Sequence, residues 1–110
     1  MTDRSKRIAE LNDKFRQTGE GGKVVLTVGV RSLPRNLVEG LIAEVQHFDK
    51  FTQENDPYGE RDFGIVKMHG YGTFYWKIDY YDRNLEYGSE DPTNPEITAR
   101  VLTIMCNHEY

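Results

Sequence analysis

The sequence predicts an α+β domain. Its antiparallel sheet has three or four strands, with three helices packed mainly on one face, in the order α-β-α-β-β-β-α. Three observations carry this. Leu33, Leu37, Leu41, Val45 and Phe48 recur at helical spacing. Residues 73–81 instead alternate with a period of two, setting Phe74, Trp76, Ile78 and Tyr80 against Tyr75, Lys77, Asp79 and Tyr81. Helical and extended patterns are grouped rather than strictly alternating, which argues against a doubly wound parallel sheet. The 110 residues fit one globular domain spanning residues 1–110.

Element by element, residues 3–18 read as a helix whose narrow stripe of Ile8, Leu11 and Phe15 suits docking on a sheet. Gly19, Gly21 and Gly22 end it, since glycine readily adopts the left-handed conformation that closes helices. Residues 23–30, rich in valine, read as a strand. Ser32 is the expected N-cap of the second helix, with Pro34 in its first turn. Val38 and Ile42 widen that helix's apolar stripe. Residues 49–62 form a long polar loop with Asn-Asp-Pro and Tyr-Gly turn signals. Residues 63–68 and 73–81 read as an antiparallel hairpin. Residues 85–87 read as a short last strand. Asn94 with Pro95, or Thr93 with Glu96, starts a last helix whose face carries Ile97, Val101, Ile104, Met105 and His108.

Composition narrows the function. With 14 basic and 18 acidic residues the net charge is −4, which argues against a nucleic-acid or anionic-membrane binder. The charge is uneven: residues 1–44 hold 8 basic and 6 acidic residues, residues 45–110 hold 6 and 12. The second half is thus expected to offer an acidic face to a basic partner. One cysteine excludes an internal disulfide and a multi-cysteine zinc site. No apolar run has the length of a membrane span, and the N-terminus lacks a signal-peptide pattern. The expectation is a cytoplasmic protein without a cofactor or metal.

The motifs that carry chemistry elsewhere are missing or incomplete. Gly19 to Lys23 lacks phosphate-loop spacing and leads into a strand, so it reads as a helix terminator. His47, His69, His108 and Cys106 have no ligand-pair spacing. Cys106, expected late in a helix, reads as a small buried hydrophobe rather than a nucleophile. No serine-nucleophile elbow occurs, so no catalytic residue is assigned. The carboxylates are richer: Asp56, Glu60 and Asp62 share one loop, and Asp79, Asp82 and Glu86 follow on or after a strand. A converging pair would suit acid–base or cation chemistry. Turn capping and pairing with Arg61 and Arg83 is the plainer account. The face carrying Tyr75, Lys77, Asp79 and Tyr81, if uncovered, is an expected contact surface.

The stretches Asn55-Asp56-Pro57-Tyr58-Gly59-Glu60-Arg61-Asp62-Phe63-Gly64, Trp76-Lys77-Ile78-Asp79-Tyr80-Tyr81-Asp82 and Arg100-Val101-Leu102-Thr103-Ile104-Met105 resemble a bacterial family known as domain of unknown function 3768. Residues 7–13 and 22–27 fit as well, so the resemblance covers nearly the whole chain. It implies a short protein of a type often encoded on mobile elements, with no assigned activity. Members often carry histidine where this chain has Arg61, which argues against an obligatory acid–base role there. The most distinctive stretches are the polar loop and the aromatic–acidic strand. Loop residues that define a family point to function more than core residues do. The expected binding site is therefore Asp56, Tyr58, Glu60, Asp62, Trp76, Tyr80, Tyr81 and Asp82.

The expected function is protein interaction: an accessory, possible anti-defence factor of a mobile element acting through an acidic and aromatic surface. The alternative is a small enzyme or cation-dependent binder using carboxylates of the 54–62 loop and the 79–86 region. The expected partner is another protein, with no membrane contact. An exposed sheet edge would also permit a homodimer.

Overall fold

The computed structural model describes residues 2–110. Helix α1 spans Asp3–Thr18. It starts where the Thr2 hydroxyl accepts from Ser5 N–H and ends on Gly19 at φ 79°. Strand β1 is Gly22–Leu26, followed by a single helical turn α2, Val28–Arg31. Helix α3 is Arg35–Gln46. The remaining elements are β2 (Phe63–Met68), β3 (Gly72–Tyr81) and β4 (Ala99–Cys106), with a closing 3-10 turn at Asn107–Glu109.

The α+β class holds, with four strands in the order β1-β4-β3-β2. The sheet is mixed rather than antiparallel. β2 pairs antiparallel with β3 and β3 with β4, whereas β1 pairs parallel with β4.

Four local expectations are corrected. The stretch read as a C-terminal helix is the central strand β4, bonded on both sides. Its residues are buried on alternate faces, Arg100, Leu102 and Ile104 towards the helices and Met105 on the opposite face. A short apolar run filled on both faces carries no helix-or-strand periodicity of its own, and β-branched Val101, Thr103 and Ile104 favour the strand. The expected caps do bond backbone, but in turns: Asp91 accepts from Thr93 N–H and Asn94 from Glu96 N–H. Residues 85–87 form no strand. They lie in a turn held by Asp82, with only a bridge between Tyr81 and Gly88. The first strand stops at Leu26, because the Thr27 hydroxyl caps α2 instead. Ser32 ends α2 by donating to the Val28 carbonyl at 2.7 Å, and α3 begins at Pro34 without a side-chain cap.

Helices α1 and α3 cover one sheet face. Phe15, Leu41 and Val45 pack there on Val66, Phe74, Trp76, Ile78, Leu102 and Ile104. Trp76 is fully buried, edge-on to Phe48 and Phe51 with ring centroids 5.5 and 6.1 Å away. Gly64 lies opposite Trp76 in the register, and any side chain there would meet the indole.

Candidate functional site

Two regions collect the sequence-predicted site residues, one on each side of the sheet. On the helix-covered side, α1 sends polar groups inward from its apolar face. Asn12 is completely buried, and Arg16 and Arg100 are almost so. The Asn12 side-chain amide donates to Tyr80 Oη at 2.8 Å and to the Glu60 carbonyl at 3.0 Å. Its oxygen accepts from Arg100 Nε at 2.7 Å. Tyr80 Oη donates in turn to Glu60 Oε1 at 2.9 Å. One amide therefore joins α1, the 49–62 loop, β3 and β4, and every arm is satisfied, as burial demands.

Arg16 makes a second, separate set of buried contacts from α1. Its Nη1 donates to the Val45 and Gln46 carbonyls at 2.8 and 3.0 Å, where α3 ends and its unpaired carbonyls favour a cation. The guanidinium lies 5.2 Å from the Trp76 ring and 5.6 Å from Phe51. Asp13 bridges Arg16 at 2.9 Å and Arg61 at 2.7 Å, binding the loop to α1. Burial lowers the pKa values of Arg16 and Arg100 from the ordinary arginine value.

The loop carboxylates serve different tasks. Asp56 accepts from Arg61 N–H at 2.9 Å, holding Arg61 at φ 56°. Glu60 meets Tyr80. Burial, with Glu60 adding repulsion, pushes the Asp62 carboxyl up to about 6. Burial also raises the Tyr80 hydroxyl well above the usual tyrosine value. Asp82 accepts from Asn84 and Glu86 N–H groups and closes a turn. Tyr58 is 78% exposed, beside Asp56 in a cleft of about 340 Å³ on the outside of the loop. Glu60, Asp62 and Tyr80 thus come together. Asp56 and Tyr58 stand outside them, Trp76 lies in the core, and Tyr81 and Asp82 lie elsewhere. Among the described residues, no group of three or more His, Cys, Asp or Glu side chains is arranged to hold a metal ion.

Sequence reasoning missed Asn12, Arg16 and Arg100. The signal was present for the first two: they follow Ile8 by four and eight residues, in phase with the buried side of α1. Arg100 was masked by the helix reading of its strand.

Among the described residues no α-helix covers the opposite face, although the C-terminal 3-10 turn packs against β3 and Met105 is buried there. By register it carries Phe63, Ile65 and Lys67 of β2, and Tyr75, Lys77, Asp79 and Tyr81 of β3. Lys23 and Val25 of β1 align with Val101 and Thr103 of β4 on the same side. Tyr75, Phe63 and Tyr110 form an aromatic cluster with ring centroids 5.1–5.7 Å apart. Ile65 and Val25 are 42% and 41% exposed. Lys77 pairs with Asp79 at 3.0 Å, which raises the lysine pKa. Glu109 anchors the C-terminal turn beside this face. It accepts from the Thr27 hydroxyl at 2.6 Å and from Cys106 and Gly29 N–H groups, which hold its carboxyl down at about 2. Cys106 is half-buried at the end of β4 rather than late in a helix, and burial raises its thiol pKa.

Exposed and half-buried aromatics fall into two groups. Half-buried Phe63 and Tyr75 and exposed Tyr110 share the helix-free side with Lys23, Lys67 and Lys77 against Asp79, whereas exposed Tyr58 and Tyr87 lie with the acidic residues of the 49–62 and 82–98 segments.

Among the described residues, no helix is long and apolar enough to cross a membrane. No curated protein and no solved structure matches the chain. The model of a family described as protein of unknown function, DUF3768, matches residues 26–109, from the end of β1 through the C-terminal turn. The aromatic–acidic strand, the polar loop and β4 all fall inside the match, and the chain belongs to the DUF3768 family.

Proposed function

We propose that this is a protein-binding domain whose contact surface is the helix-free face of the sheet. The observation that carries the reading is the make-up of that face. It has an aromatic cluster of Phe63, Tyr75 and Tyr110, exposed Ile65 opposite Tyr75 in the register, exposed Val25 on the far edge strand β1, and polar groups between. Interfaces favour this arrangement, with aromatic anchors at the centre and a polar surround. Charge indicates the partner chemistry. The face carries three lysines and one aspartate on a chain of net charge −4, so it suits an apolar patch edged by carboxylates. The partner is a protein of the host or of a mobile element, in keeping with an accessory role.

The carboxylate reading has less support. Asp56 and Asp82 close turns, Glu60 is bonded to Tyr80, and Asp79 is paired with Lys77.

The test is affinity capture with the full chain as bait, comparing the wild type with Ile65→Glu and with the helix-side control Glu44→Gln. The reading expects a set of proteins that binds the wild type and the control and is lost with Ile65→Glu. Capture unchanged by Ile65→Glu, or lost equally in both variants, overturns it.

A further inference from the structure

Arg100 is 3% exposed, yet among the described residues no carboxylate lies within ion-pair distance of its guanidinium. Its two observed hydrogen bonds go to neutral oxygens, Asn12 Oδ1 at 2.7 Å and the Pro92 carbonyl at 2.6 Å. The Tyr80 ring stacks on it at 5.3 Å. A buried charge is ordinarily paired, because desolvation without a counterion is costly. This one lines a cleft of about 550 Å³ between α1 and the segment leading into β4. That volume lies within the roughly 300–1,000 Å³ typical of small-molecule sites.

The cleft supplies further recognition chemistry. Arg7 and Lys14, both exposed on α1, join Arg100 in its wall. Leu11, Phe15 and Pro95 give it an apolar side, and Glu10 and Glu20 complete it. Three cations against two carboxylates leave a small positive excess, which suits one anionic head rather than a polyanionic backbone. We propose that this cleft binds a small molecule with a single oxyanionic head, a carboxylate or a phosphate monoester, paired with Arg100, Arg7 and Lys14 while its apolar body rests on Leu11 and Pro95. With Nε on Asn12 and Nη2 on Pro92, the Nη1 group, which has no hydrogen-bond partner among the described residues, is the donor left for either head. This site is on the other side of the sheet from the proposed protein-contact face and stands independently of it.

The test is a titration of the ¹⁵N-labelled full chain with benzoate and, separately, phenyl phosphate, which share a ring and differ in the head group. Saturable shifts at the Gly21 amide and Arg100 Nε are expected with at least one probe, and the tighter one identifies the head. Arg7→Gln/Lys14→Gln, at exposed helix positions, is expected to weaken that binding roughly tenfold by removing two charge-assisted contacts. Arg100→Lys, which keeps the charge but not the fork, is expected to weaken it further. If that variant fails to fold, the double variant alone decides. No saturation with either probe up to about 20 mM, well past a millimolar Kd, overturns the proposal, as does unchanged affinity in the double variant.

Discussion

The two faces of the sheet solve opposite problems with similar residues. On the helix-covered face, tyrosine, tryptophan and arginine are internal: Trp76 is sealed by Phe48, Phe51 and Arg16, and Tyr80 is held by Asn12 and Glu60. On the other face, Tyr110 meets half-buried Phe63 and Tyr75 edge-on, and among the described residues no α-helix lies over them. Adjacent residues of one strand, Tyr80 and Tyr81, belong to different faces because side chains alternate. An aromatic-rich strand is therefore two half-messages, one about packing and one about contact, and only the fold separates them.

Substitutions on the covered face sharpen this contrast most. Trp76→Ala is expected to cost about 3–5 kcal/mol, the range for emptying a large buried aromatic site, read as a lower denaturant midpoint. Asn12→Ala is expected to cost about 2–3 kcal/mol, because it leaves Arg100 Nε and Tyr80 without their buried partner. Chemical denaturation of both variants checks the order. If Asn12→Ala were neutral, the buried network would not be what ties the loop to the sheet.

Asp62 has a smaller effect of opposite sign. Its folded pKa of about 6 exceeds the ordinary 3.8, so the folded chain holds the extra proton between those values. Stability from this group falls as pH rises through that window. Asp62→Asn should therefore stabilise the protein at pH 7 by about 1 kcal/mol after solvent screening, and the gain should vanish below pH 4. Glu109 behaves the other way. Its carboxyl titrates at about 2 rather than 4.5, so its contribution is complete above 4.5 and is lost as pH falls towards 2. Melting curves of Glu109→Gln against pH should converge on the wild type in acid.

The smallest stability effect is expected on the open face. Ile65→Glu should change stability by less than about 0.5 kcal/mol, as exposed substitutions do, while it abolishes partner capture. A large loss of stability would place Ile65 in the packing and remove the contrast between faces.

Much of this architecture was legible in the sequence. The stripe from Leu33 to Val45 and the alternation from Phe74 to Tyr81 gave α3 and β3, because each has one buried side and so keeps its period. Strand β4 was not legible, since apolar side chains occupy both of its faces even though burial alternates from Arg100 to Ile104, and the Pro92–Glu96 turns imitate a helix start. The candidate site was half legible. Glu60, Asp62 and Tyr80 do meet, but Asn12 and Arg100, which join them to α1 and β4, are 88 residues apart and carry no local motif. Alternation grouped Tyr75, Lys77, Asp79 and Tyr81 on one face, whereas that face's freedom from helices and its lysine excess required the fold, in which edge strands β1 and β2 turn Lys23 and Lys67 to the same side.

The measurement that tests the central claim most directly is site-specific photo-crosslinking in cells. A photoreactive amino acid is placed at Ile65 on the open face, at Glu44 on α3, or at Tyr58 on the loop. Position-specific adducts to the same protein partner from Ile65, and none from Glu44 or Tyr58, are predicted. Adducts confined to Tyr58 or Glu44, with none from Ile65, would contradict the assignment of the helix-free face as the contact surface.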